Sequence, residues 1–194
     1  MMNSINKLIL TTCTILTVSC NSFVRVNGDI AKLKSEAIVI PYDKLVCFEG
    51  SKTKPDETVG SILVYIDSSD CSVCSLNNLP YWDHLNKIIH DETGFQLQII
   101  PVFKPAKDYK DALLWHVKRQ QNSFDIYVDT LGAFYASNSH LPDNKELHTF
   151  LLDKDNNVIL VGNPIHNKEL QSLYIATAAK YIRLFSGQSM SDRD

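Results

Sequence analysis

The strongest hydrophobic signal in the chain is Ile62-Leu63-Val64-Tyr65-Ile66, an unbroken β-rich run of the kind a strand carries when both of its faces are covered. It stops at Asp67-Ser68-Ser69-Asp70. From Cys71 the pattern changes to a helical period, with Leu76, Leu79, Trp82, Leu85 and Ile89 on one stripe and Pro80 as an interior kink. Asp70 or Ser69 is the expected cap. Upstream, Ile38–Ile40 before Pro41 and Leu45–Phe48 read as two short strands, with a charged loop over Lys52–Thr58. Downstream, Phe95–Val102 reads as a strand, Asp108–Gln121 as a helix with Ala112, Trp115 and Arg119 at helical spacing, and Phe124–Val128 as a further strand. This alternation of strand and helix predicts an α/β domain with a parallel core. The last third differs. Thr149–Asp153 and Val158–Gly162 flank Lys154-Asp155-Asn156-Asn157, a hairpin signal. Leu170, Leu173, Tyr174, Thr177, Ala178, Tyr181, Leu184 and Phe185 then form a closing amphipathic helix, with a frayed tail from Ser186 to Asp194.

The first residues follow another logic. Lys7 precedes an apolar run from Leu8 to Val18, broken only by Thr and Cys and followed by Ser19 and Cys20, which is the layout of a signal peptide over residues 1–19. The run falls well short of the ~20 residues that a membrane-spanning helix needs. Thr17-Val18-Ser19-Cys20 resembles a bacterial lipobox, which implies cleavage before Cys20, lipidation of that residue and a membrane anchor; plain secretion or an uncleaved anchor is the alternative. Residues 20–36 would then be a polar, lipid-anchored linker, with one domain over 37–186 and a flexible tail over 187–194. Export leaves Cys47, Cys71 and Cys74 as thiols of the domain.

Composition adds limits. At 194 residues, 44% hydrophobic and 21% charged, the chain is large enough to bury one core without disulfide staples. A net charge of −3 gives no field that would gather nucleic acid, so no nucleic-acid partner is expected.

Cys71-Ser72-Val73-Cys74 at the expected strand-to-helix junction is the main candidate for chemistry. A thiol at a helix start lies beside unpaired N–H groups, which favour the thiolate. A second thiol one turn on can close a disulfide with it. Since thiolate is the attacking species, Cys71 is the candidate nucleophile and Cys74 the resolving thiol. A fixed structural disulfide is the competing reading in an exported protein. The position after a buried strand favours the redox pair. Asp70 opposes the helix dipole and would raise the Cys71 pKa.

The order of strand, Cys71-Ser72-Val73-Cys74, helix with Pro80, strand–helix–strand, and then Thr149-Phe150-Leu151-Leu152-Asp153 in a hairpin resembles the thioredoxin-like superfamily. More narrowly it is similar to the TlpA-type thiol-disulfide oxidoreductases of the bacterial envelope, over roughly Leu45 to Phe185. The resemblance implies a thioredoxin-like fold, with a central mixed sheet, a C-terminal β-hairpin and flanking helices. It implies disulfide exchange with exported cysteine-containing proteins and with a membrane or periplasmic redox partner, through a redox-active disulfide and no other cofactor. A non-catalytic binding or scaffold lipoprotein and a peroxiredoxin-like peroxide reductase are the rivals. In that family a cis-proline precedes the Thr-Phe-Leu-type strand and faces the dithiol. Here Leu147 and His148 stand there, with Leu147 expected trans unless Pro142 fills the role through a longer loop.

Asp67 is a candidate proton shuttle to Cys74, which a strand-terminal turn carboxylate describes equally well, and His148 is a candidate proton acceptor or metal ligand, for which a packed or solvated imidazole on a strand edge is the favoured reading. Cys47 in Val46-Cys47-Phe48 reads as a buried, inert thiol, with a third redox partner as the alternative. His84, His90, His116, His140 and His166 share no metal-ligand spacing, so no metal site is expected. Trp82 and Trp115 read as core, and Lys118 and Arg119 as a solvated face.

Overall fold

The computed structural model describes residues 25–51, 59–67, 72–119 and 123–191. Residues 25–33 form a helix, α1. The remaining elements are β1 (Val46–Phe48), β2 (Gly60–Ile66), α2 (Ser72–Asn77), α3 (Leu79–Thr93), β3 (Gln98–Phe103), α4 (Lys110–Arg119), β4 (Ile126–Val128), α5 (Ala133–Ser137), β5 (Thr149–Asp153), β6 (Val158–Val161) and α6 (Lys168–Ser191).

The six strands form one mixed sheet in the order β1-β4-β3-β2-β5-β6. β2, β3 and β4 are parallel; β1 runs antiparallel to β4, and β5 antiparallel to both β2 and β6. The apolar run at 62–66 earns its interior place because every residue of β2 is buried. Alternation along the strands then divides the core in two. Ile62, Val64 and Ile66 face Leu76, Trp82, Ile89, Val117, Tyr174 and Ile182 from α2, α3, α4 and α6. Leu63 and Tyr65 face the other way, toward Leu33, Ile38, Phe134, Leu141 and Leu147. Helices and loops thus cover both faces, which is the condition under which a strand can be apolar throughout. The α/β class and the mixed sheet expected from the sequence are present, as is the hairpin, whose turn places Asn156 at φ 62° and lets Asp153 accept N–H bonds from Asp155 and Asn157.

Several expectations are corrected. Pro80 does not kink one long helix. It sits in the first turn of α3, separated from α2 by a turn at Asn78, because proline cannot donate to the helix ladder but fits a first turn. Ile38–Ile40 forms no strand: the Ile38 N–H donates to the Asn156 carbonyl in the hairpin turn at 2.9 Å, the Asn138 side chain accepts from the Val39 N–H and donates to its carbonyl, both at 2.8 Å, and Ile38 is buried. The span expected to be a linker contains α1, and Leu33 within it is fully buried, so the folded body reaches back into it. At the other end α6 continues to Ser191 rather than fraying from Ser186. Trp115 is exposed, because α4 turns Leu113 and Val117 inward; its indole instead lies under the Arg119 guanidinium, 4.6 Å from the ring centre. Cys47 is exposed too, as β1 is a three-residue strand that, among the described residues, pairs with β4 alone. The expected loop at 52–58 and the expected cap, Ser69 or Asp70, lie outside the described residues, as do Cys20 and Cys71.

Candidate functional site

The parallel strands end together. Ile66 closes β2 and its carbonyl accepts from the Lys104 N–H at 2.8 Å, while the Phe103 carbonyl at the end of β3 accepts from Asp129 N–H at 2.8 Å. The region outside the carboxyl ends of adjacent parallel strands is where α/β sheets commonly place their chemistry. Asp67 stands there, half-buried, directly after β2. Chain continuity carries the same end of the sheet into α2, on which Cys74 is exposed and engaged in a disulfide. Cys47 takes no part in it.

The segment that precedes β5 closes the site from the other side. Asn144 accepts from the Glu146 N–H through Oδ1 and from the Leu147 N–H through its carbonyl, each at 3.1 Å, and the Lys145 carbonyl accepts from His148 N–H at 2.9 Å. These bonds wind Lys145–Leu147 into a single 3₁₀ turn. The His148 carbonyl accepts from Tyr65 N–H at 2.9 Å, which ties the turn to β2. Leu147 and His148 are both buried. Peptide bonds among the described residues are all trans, those at Leu147, His148 and Pro142 included.

His148 binds inward. Its Nε2 lies 2.8 Å from the Pro142 carbonyl, and because a carbonyl only accepts, that nitrogen carries the proton. Its ring packs 5.5 Å from that of Tyr65. This geometry makes His148 a brace between Pro142 and the end of β2 and commits Nε2 to a structural bond. Tyr65 stacks on Phe134 at 4.6 Å, and its buried hydroxyl has no hydrogen-bond partner among the described residues. Burial, followed by the negative fields of Asp67 and Asp129, drives its pKa far above the ordinary phenol value, so it stays a neutral phenol. Asp129 is itself buried and accepts from the N–H groups of Ala133 and Phe134 at 2.8 and 2.9 Å, anchoring α5. Among the described residues no group of three or more His, Cys, Asp and Glu side chains could hold a metal ion.

Between α2, the 3₁₀ turn and the entry to α6 lies a cavity of about 630 Å³. Leu79, Trp82 and Leu147 supply apolar wall, whereas Ser75, Asn78 and Asn163 supply polar wall. The sequence reading did not find these polar residues. Asn163 before Pro164 and Asn167 before the α6 helix carry turn and cap signals, and those were the only signals available. The chain was compared with protein-family models and with curated proteins, and it matches none of them.

Proposed function

We propose that the chain is a thioredoxin-like thiol-disulfide oxidoreductase, exported and held at the bacterial cell envelope through lipid on Cys20, in which Cys71 and Cys74 interconvert between dithiol and disulfide. The observation that carries this reading is the disulfide at the exposed Cys74, on a short helix that follows the buried strand β2. A structural staple would be expected to join segments that packing alone leaves apart. Here Cys74 belongs to neither of the two core clusters. The sheet supports the fold assignment: the strand leading to the dithiol has a parallel neighbour on one side and an antiparallel hairpin on the other. The anchor rests on the lipobox-like Thr17-Val18-Ser19-Cys20, and among the described residues no helix is long and apolar enough to cross a membrane.

In the oxidised form a partner thiolate attacks one sulfur of the pair and makes a mixed disulfide; a second thiolate resolves it, so two electrons enter and the dithiol is released. Cys71 is the proposed nucleophile and Cys74 the resolving thiol. Asp67, half-buried at the strand end, is the proposed proton exchanger for the pair, and a carboxylate at Asp70 would weaken the thiolate at Cys71. Partners are exported proteins with cysteines and an envelope reductant or oxidant. The test is a trap. Cys74→Ser should accumulate mixed disulfides in the cell envelope, and Cys71→Ser should not. Equal trapping by both variants, or by neither, favours a scaffold in which the disulfide is fixed.

A further inference from the structure

We infer that the cavity beside α2, the helix that carries Cys74, is a binding site for a low-molecular-weight disulfide of amino-acid type, carrying amide and carboxylate groups, which this protein reduces or is oxidised by. The inference rests on the redox reading above. Its volume of about 630 Å³ is in the range of small-molecule pockets, and it opens beside Ser75, the residue next to Cys74.

Two further observations favour a small ligand over an extended chain. An extended peptide needs unpaired backbone groups with which to pair. The bordering turn offers few: the N–H groups of Glu146, Leu147 and His148 are consumed within it, and the His148 and Thr149 carbonyls accept from Tyr65 and Gly162. Recognition is left to side chains. Asn163 and Asn167 each fix their amide by accepting a backbone N–H through Oδ1, from Ile165 and Leu170 respectively, both at 2.9 Å. This presents their Nδ2 groups as oriented donors for carbonyl or carboxylate oxygen. Asn78 adds a third amide, which makes no side-chain bond to its own helix. At the rim, Lys145 and Glu146 are exposed charges of opposite sign, matched to a ligand bearing both carboxylate and ammonium groups.

The exchange balances as two steps. A thiolate of the dithiol attacks one sulfur of the small disulfide RSSR, forming a protein–S–S–R bond and expelling RS⁻. The second protein thiolate then displaces the remaining RS⁻, so the dithiol loses two electrons, RSSR gains them, and the two protons end on the RSH products.

The test mixes the reduced full chain with glutathione disulfide over a range of concentrations and follows oxidation of Cys71 and Cys74 by acid quench, alkylation and mass measurement. The control, 2-hydroxyethyl disulfide, has neither amide nor carboxylate. The expected result is saturation with glutathione disulfide and a linear dependence on the control. Lys145→Glu and Asn78→Trp should each slow the glutathione disulfide reaction about tenfold, the size of one lost charge-assisted hydrogen bond, while leaving the control rate unchanged. On the unaltered chain, S-methylglutathione, which carries the recognised groups and no disulfide, should inhibit competitively. Linear dependence on both disulfides with no inhibition overturns the inference while leaving the redox function in place. Failure of dithiothreitol to reduce the pair at all removes the redox function and the inference together.

Discussion

His148 separates a structural role from a chemical one. Its Nε2 donates to the buried Pro142 carbonyl at 2.8 Å, and its ring packs on Tyr65 in the sheet. Substituting His148→Leu keeps most of the volume but leaves that carbonyl without its donor and packs less well against the Tyr65 ring, which together cost about 2–3 kcal/mol. For a chain of this size each kcal/mol moves the melting temperature by about 2–4 °C, so thermal unfolding followed by circular dichroism should show a fall of about 4–12 °C. His148→Gln can still reach the carbonyl with an amide N–H and should recover part of that loss. The rate of dithiol oxidation, measured well below the transition, should change less than about threefold, the scatter expected for a residue outside proton transfer. Were His148→Leu to leave the melting temperature intact and flatten the pH profile of thiol exchange, the imidazole would be a proton acceptor and the brace would be wrong.

Other consequences reach further from the dithiol. Asp129→Ala strands the N–H groups of Ala133 and Phe134 and should cost about 2–4 kcal/mol in urea unfolding, whereas a cost below 1 kcal/mol would mean that α5 is held by packing alone. For Asp153, burial pushes the carboxyl pKa up, but bonds from the Asn157 side chain and backbone, the Asp155 N–H and the Tyr181 hydroxyl outweigh it and leave it below the ordinary value. Its folded pKa lies below its unfolded one, so it adds stability that is complete above the usual carboxylate range and lost as pH falls through the folded value. The acid limb of the urea midpoint against pH should therefore flatten in Asp153→Asn, and an unchanged limb would refute the assignment. The same partnership raises the Tyr181 pKa, after burial, to about 12. Cys47, exposed on an edge strand, should take one N-ethylmaleimide in the native chain without reductant, and protection of that thiol until unfolding would contradict the placement of β1. Trp115→Ala should shift stability by no more than about 1 kcal/mol, the scale of an exposed cation–π contact, in contrast to about 3–5 kcal/mol for the buried Trp82→Ala.

Two kinds of pattern in the sequence were informative. Burial on both faces left an uninterrupted apolar run, which placed β2 inside the sheet, and the Asp/Asn turn announced the β5–β6 hairpin. Where the decisive partner is a single side chain far along the sequence, no periodicity records it. Asn138 replaces a strand for Val39, 99 residues away, so Ile38–Ile40 looked like a strand without pairing as one. In α4 both Leu113/Val117 and Ala112/Trp115/Arg119 satisfy a helical spacing, and only the packing distinguishes the inward set. Pro80 was legible as a break but not as a helix start, since either position satisfies proline. At the site, Cys71 and Cys74 stand out by spacing, and Asp67 and His148 by neighbourhood. The cavity did not, because Ser75, Asn78, Asn163 and Asn167 come from segments that meet only after folding and look individually like turn residues.

The central claim is that Cys71 and Cys74 form a reversible redox pair. The most direct measurement equilibrates the full chain in graded mixtures of reduced and oxidised dithiothreitol, traps thiols with an alkylating agent under denaturing conditions and reads the mass. The account predicts that Cys71 and Cys74 gain or lose their two labels together along one two-electron curve, identical when approached from either side. A pair that stays unlabelled at every poise, or that reacts independently at the two cysteines, would contradict it.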